Sequence, residues 1–130
     1  MTALNAARRV FTRLGDLLIV TMANGAQGYR GGLAAIQPAG TAVAATATNT
    51  LNVVGWFTND AAAGTQVEVS KEIVPFVNSA AADLIAKADI GASCYVVDDQ
   101  TVAKTNGGGA RPRAGKVFDV DEYGVWVDFR

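Results

Sequence analysis

Histidine is absent from this chain, and cysteine occurs once, at Cys94. Without histidine the commonest general base is missing, and with it the usual serine and cysteine triads. A single cysteine forbids an internal disulfide and any Cys/His zinc spacing, and makes no demand for an oxidising compartment. Charge is also scarce: Asp, Glu, Lys and Arg make up 18% of the residues, against roughly 25% in an ordinary soluble domain. Eleven basic residues face twelve acidic ones, so no uniform basic field exists for wrapping nucleic acid. No apolar run approaches the ~20 residues of a transmembrane helix. Arg8, Arg9 and Arg13 ahead of Leu17 to Val20 only loosely resemble a signal peptide. The run is short, Asp16 abuts it, and no clean Ala-x-Ala site follows. The composition therefore predicts no cofactor, no specific nucleic acid partner and no membrane span.

What is present is apolar and small. The 130 residues are the usual size of one domain, and hydrophobic types reach 50%, much of it alanine. A chain of this length buries roughly two-thirds of its unfolded surface and needs no staple to fold. So much apolar surface is hard for a small monomer to hide, and exposed apolar patches mark interaction sites. An oligomer or a docked subunit is the expectation.

Along the chain, residues 1–15 read as an N-terminal arm, either a frayed terminus or an extension that reaches a neighbour. Residues 16–130 read as a single β-rich domain. Leu17 to Met22 is a continuous apolar run of the buried-strand type, and Asn24-Gly25 marks a turn. Tyr29 to Ile36 reads as a strand in which Gly31 and Gly32 suggest a bulge or close approach. Thr41 to Thr50, nearly all Ala and Thr, fits either a strand or an ordered loop. Asn52 to Phe57, Gln66 to Ser70 and Ile73 to Val77 read as strands, with Val67 and Val69 on one face and Pro75 implying an edge or bulge. One short α-helix is expected from Ser79 as N-cap through Leu84, Ile85 and Ala88 to a stop before Gly91. Ser93 to Val97 and Thr101 to Ala103 follow as strands around Asp98-Asp99-Gln100, and Asn106 to Gly109 reads as a mobile loop. A hairpin closes the chain: Lys116 to Val120, a turn at Asp121 to Gly124, then Val125 to Phe129. Short strands with turns every 8–12 residues predict a mostly β fold, a small barrel or sandwich.

Residues able to carry chemistry find blander explanations. Cys94 sits between Ser93 and Tyr95 in an expected buried strand, with nothing to lower its pKa, and reads as a core thiol. Asp98, Asp99, Asp119, Asp121, Glu122 and Asp128 stand at hairpin ends, where Asp is a standard turn residue; no EF-hand spacing is present. The segment GGGARPRAGK, Gly107 to Lys116, imitates a phosphate loop but fails its spacing. Ala110 stands where glycine is required, Val117 replaces the Mg²⁺-binding hydroxyl, and a strand follows instead of a helix. What remains there is a local basic patch of Arg111, Arg113 and Lys116. Trp56 and Trp126 read as core or subunit-contact residues, because Trp126 shares its face with Asp128 and no basic groove surrounds it.

Val54-Gly55, the turn and strand Asn59 to Val69, the Ala-rich segment before Ile90-Gly91, Cys94 to Asp99 and the closing hairpin come in a characteristic order. Together, over Gly25 to Phe129, they resemble the small capsid decoration, or cement, proteins of tailed bacteriophages and prophages. The arm before Asp16 and the segment Asn106 to Arg113 depart from that pattern. The resemblance implies a compact barrel-like subunit, a trimer bound to the major capsid protein on the outside of the phage head, made in the bacterial cytoplasm. It implies no enzyme and no catalytic residue. Contact with partners is expected from Arg8, Arg9 and Arg13 on the arm and from Arg111 and Arg113. The alternatives are a tail or fibre component, and a ligand-binding or enzymatic barrel using the acidic cluster.

Overall fold

The computed structural model describes residues 2–130. Ten strands form two sheets. In chain order they are β1 (Leu17–Thr21), β2 (Leu33–Ile36), β3 (Ala42–Ala44), β4 (Asn52–Phe57) and β5 (Gln66–Ser70), followed by β6 (Val74–Asn78), β7 (Ser93–Val96), β8 (Thr101–Ala103), β9 (Arg113–Asp121) and β10 (Gly124–Asp128). The first five make one sheet in the order β1-β5-β4-β2-β3. The last five pair in a ring, β10-β6-β8-β7-β9 and back to β10. Only β6 and β8 run parallel within that ring. The expectation of a mostly β chain holds.

Two apolar clusters organise these layers. The larger lies between the ring and one face of the sheet. Val96, Val102, Val125, Val127 and Cys94 meet Leu33 and Ala35 of β2, with Val53 and Trp56 of β4 packed alongside. The second occupies the opposite face of the sheet, where Val20, Met22, Ala34, Ala42, Phe57, Ala61 and Val69 gather. Successive residues of β2 therefore serve different clusters, as the pleat of a strand requires. Both faces of β2 are buried, which explains why its sequence, LAAI, carries no polar alternation.

Two glycines allow the strands to approach this closely. Gly55 has φ 150°, and a Cβ there would lie 2.2 Å from the Ser70 carbonyl oxygen. Gly124 has φ 126° at the closing hairpin, and a Cβ would lie 2.2 Å from the Phe76 carbonyl oxygen. Neither conformation is open to an L side chain without strain. Pro75 is accommodated because β8 pairs with β6 only from Val77 onward, leaving the proline opposite Trp126 with one side free.

The expected α-helix is not formed. Its place holds two 3-10 turns, Ala81–Asp83 and Lys87–Asp89. Side chains outcompete the helix for its backbone. Asn78 donates from Nδ2 to the Ile85 carbonyl at 2.8 Å and accepts from the Ile85 N–H at 3.0 Å. That pair of bonds drops Ile85 into the larger core, 1% exposed, while Leu84 turns outward. Ser79 does not cap; its hydroxyl donates to the Val102 carbonyl at 2.8 Å. Short polar side chains that bond backbone groups in this way compete with helix formation. Among the described residues no helix is long and apolar enough to cross a membrane.

Candidate functional site

Residues 2–16 have no regular structure, and residues 2–14 are exposed throughout. They carry large apolar side chains nonetheless: Leu4, Val10, Phe11 and Leu14 are between 64% and 93% exposed. Arg8, Arg9 and Arg13 stand among them. The Arg9 guanidinium lies 5.2 Å from the centre of the Phe11 ring, and Arg13 Nη2 donates to the Leu17 carbonyl at 3.4 Å. None of these arginines enters a salt bridge among the described residues.

The exposed apolar line continues into β1. Leu17 and Ile19 are 50% and 57% exposed, whereas Val20 is buried and Leu18 partly so. The run Leu17 to Met22 is thus not a wholly buried strand. Odd positions face outward and even positions face the smaller core. An apolar residue on both faces hides this alternation in the sequence. Backbone groups follow the same rule. The Asp16 carbonyl accepts from the Lys71 N–H and the Met22 N–H donates to the Thr65 carbonyl, both at 2.8 Å. Ladder alternation then aims the N–H and C=O of Leu17, Ile19 and Thr21 away from β5. Beyond Thr21 the gap narrows: Met22 bridges Ala42, and the Ala23 N–H donates to the Ala42 carbonyl at 2.9 Å. That parallel bridge turns the Thr21 carbonyl to Ala42, and over Leu17–Val20 β1 is an open edge.

Arg111 and Arg113 are placed elsewhere and are engaged within the chain. Arg111 Nη1 lies 3.2 Å from Asp83 Oδ2 and also donates to the Thr105 carbonyl at 3.1 Å. Arg113 Nε donates to Ser93 Oγ at 2.9 Å. The loop ahead of them, Asn106 to Gly109, is tied down rather than mobile. Arg111 N–H donates to the Asn106 carbonyl at 3.0 Å, and Asn49 Nδ2 reaches across to the Gly109 carbonyl at 2.9 Å. The arm and this loop do not come together as one basic surface.

The acidic residues act as turn formers. Asp98, Asp121 and Asp128 each accept from the backbone N–H two residues on, at 2.9–3.0 Å. The Thr105 hydroxyl, with Arg111 beside it, holds the Asp83 carboxyl below its ordinary range. The Val120 N–H, aided by Lys87, does the same for Asp119. Among the described residues no group of three or more His, Cys, Asp or Glu is arranged to hold a metal ion. Cys94 is fully buried, its thiol donates to the Gly115 carbonyl at 3.6 Å, and burial pushes its pKa up to about 11. At neutral pH it is a thiol, not the thiolate that attacks.

The two tryptophans differ. Trp56 Nε1 donates to the Glu72 carbonyl at 3.0 Å and its ring packs on the larger core. Trp126 lies edge-on to Tyr123, and its Nε1 is buried with no hydrogen-bond partner.

No family model, curated protein or solved structure matches the chain.

Proposed function

We propose that this chain is a structural virion protein, a decoration or cement subunit that binds the outside of a tailed-phage head and ties neighbouring capsomers together. The observation that carries the reading is the arm. Four exposed large apolar side chains are costly to leave in water, and the segment that holds them, with three arginines that enter no salt bridge among the described residues, runs directly into an edge strand with two more exposed apolar side chains. Such a segment is suited to covering another protein. The body behind it is compact and built on two small cores, as befits a subunit that transmits load rather than one that closes around a ligand. A trimer follows from the resemblance to decoration proteins. It would make shell binding multivalent, so that modest contacts from each subunit combine into tight attachment.

Purified protein added to mature and to undecorated heads of its own phage provides the test, read by cryo-electron microscopy. Density at or near threefold positions, saturating at a fixed copy number, is the expected result. Protein that leaves shells bare defeats the proposal, and assembly into elongated particles without shell affinity points to a tail or fibre component instead.

A further inference from the structure

Strand β1 is an unguarded edge. Natural sheets blunt such edges with Lys, Pro, a bulge or a covering loop. Here Leu17–Thr21 reads LLIVT with no charge or proline, and pairs with β5 in unbroken register. Its free side presents both backbone groups of Ile19 and the N–H of Leu17, whose carbonyl holds Arg13, while the Thr21 carbonyl faces Ala42 at the bridge beyond; its outer face presents Leu17 and Ile19.

Charge shows what fits there. Three of the eleven basic residues and none of the twelve acidic ones lie before Asp16, so the arm carries plus three and the body minus four. Glu68 stands directly across the ladder from Ile19, partly exposed and without a salt bridge among the described residues. All four salt bridges among the described residues use basic side chains of the body. The arm also has the right period. Arg9, Phe11 and Arg13 fall on one side of an extended segment, and Val10, Thr12 and Leu14 on the other.

We infer that the arm of one copy, residues 8–14, adds as a further strand to the open edge of β1 in a second copy. Phe11 then lies beside Leu17 and Ile19, with Arg9 and Arg13 within reach of Glu68. Val10 and Leu14 extend the inner side of the sheet beyond Leu18 and Val20. Main-chain bonds centred on Ile19, with Leu17 displacing its own Arg13, supply affinity, and the alternating side chains supply register. The contact is heterologous, arm to edge, so repeating it around a closed ring gives an oligomer in which each copy both donates and accepts. This inference goes beyond the shell-binding proposal and does not depend on it. Bare shells would defeat that proposal while leaving arm exchange intact.

The test uses the full chain. One population carries Phe11→Cys and another Ile19→Cys; the native Cys94 stays, being buried and protonated. On mild oxidation the mixture should give covalent dimers containing one of each. Dimers formed equally well by Ile19→Cys alone would mean that β1 pairs with β1, and would overturn the inference. So would a double variant that closes only within one chain, which would mean that the arm folds back on its own strand. Sedimentation over a concentration series supplies the second readout. Ile19→Pro removes an N–H that faces the free side, so the β1–β5 ladder survives and circular dichroism should not change. Association should weaken by roughly tenfold or more. Glu68→Gln, which keeps shape, should weaken it less and flatten its salt dependence. Unaltered association in both variants, or a wild-type protein that stays monomeric throughout the series, overturns the inference.

Discussion

The ring of β6–β10 and the sheet of β1–β5 solve the same problem differently. In the ring each strand has two neighbours, and Val96, Val102, Val125 and Val127 point inward with no accessible surface. Closure removes the edges and satisfies the ladder within the domain. The sheet buries both faces of its middle strand, yet leaves one margin with unpaired backbone and exposed Leu17 and Ile19. One half is self-sufficient and the other is left with an open margin, a division that suits the proposed role of a subunit joining others. The two halves are nonetheless coupled, because Leu33 and Ala35 of the sheet belong to the same cluster as the ring valines.

That coupling is the first thing to break. Phe57→Ala empties the smaller core and should cost about 3–5 kcal/mol; Val127→Ala, in the shared core, should cost less because fewer atoms are removed. Calorimetry should show one transition lowered in both variants. Two separate transitions would mean that sheet and ring unfold independently. Gly124→Ala comes next, forcing a Cβ against the Phe76 carbonyl at a positive φ; a loss on the order of 2–4 kcal/mol by denaturant titration is expected.

Acid should act on the ring side more than on the open margin. Asp83 and Asp119 are held below the ordinary carboxyl value of 3.8 in the folded protein, so each contributes stability that is complete above that pH and lost as pH falls through the lowered folded values. Melting temperature should therefore decline below about pH 4, and the decline should be shallower in Asp83→Asn and Asp119→Asn. A slope unaffected by either substitution would refute the assignment. Hydrogen exchange sharpens the contrast without mutation. At concentrations too low for association, the amides of Leu17, Ile19 and Thr21 should exchange far faster than those of Leu18 and Val20, and the ring amides slowest. The smallest effect is expected at Trp126. Trp126→Phe removes a buried N–H that has no partner and should change stability by about 0.5 kcal/mol or less, or raise it slightly. A loss well above 1 kcal/mol would mean that the indole N–H is satisfied after all.

Much of the sheet and ring was legible because local rules and tertiary demands agreed. Asn52 to Phe57, Gln66 to Ser70 and Thr101 to Ala103 are strands with the bounds read from pattern alone. At Val67 and Val69 the inward face was marked by polar Gln66, Glu68 and Ser70 at alternate positions. The reading failed where a distant partner intervened. Leu84, Ile85 and Ala88 have helical spacing, but the Asn78 amide claims the backbone of Ile85. Arg111 and Arg113 looked free for a partner because Asp83 and Ser93, 28 and 20 residues away, gave no sign of engaging them. The arm arginines lie on an exposed segment; the edge they precede was missed, because LLIVT has no charged residue to mark its outer face.

Composition and order alone determined that this is a β chain without histidine chemistry, charged differently at its beginning and in its body, since these follow from residue identity and short-range period. Which strands would close into a ring, which edge would stay open, and which basic side chains would be consumed internally were decided only in three dimensions. Those outcomes depend on pairings between residues far apart in the chain, and a backbone donor or a guanidinium is free or engaged only relative to what the fold brings beside it.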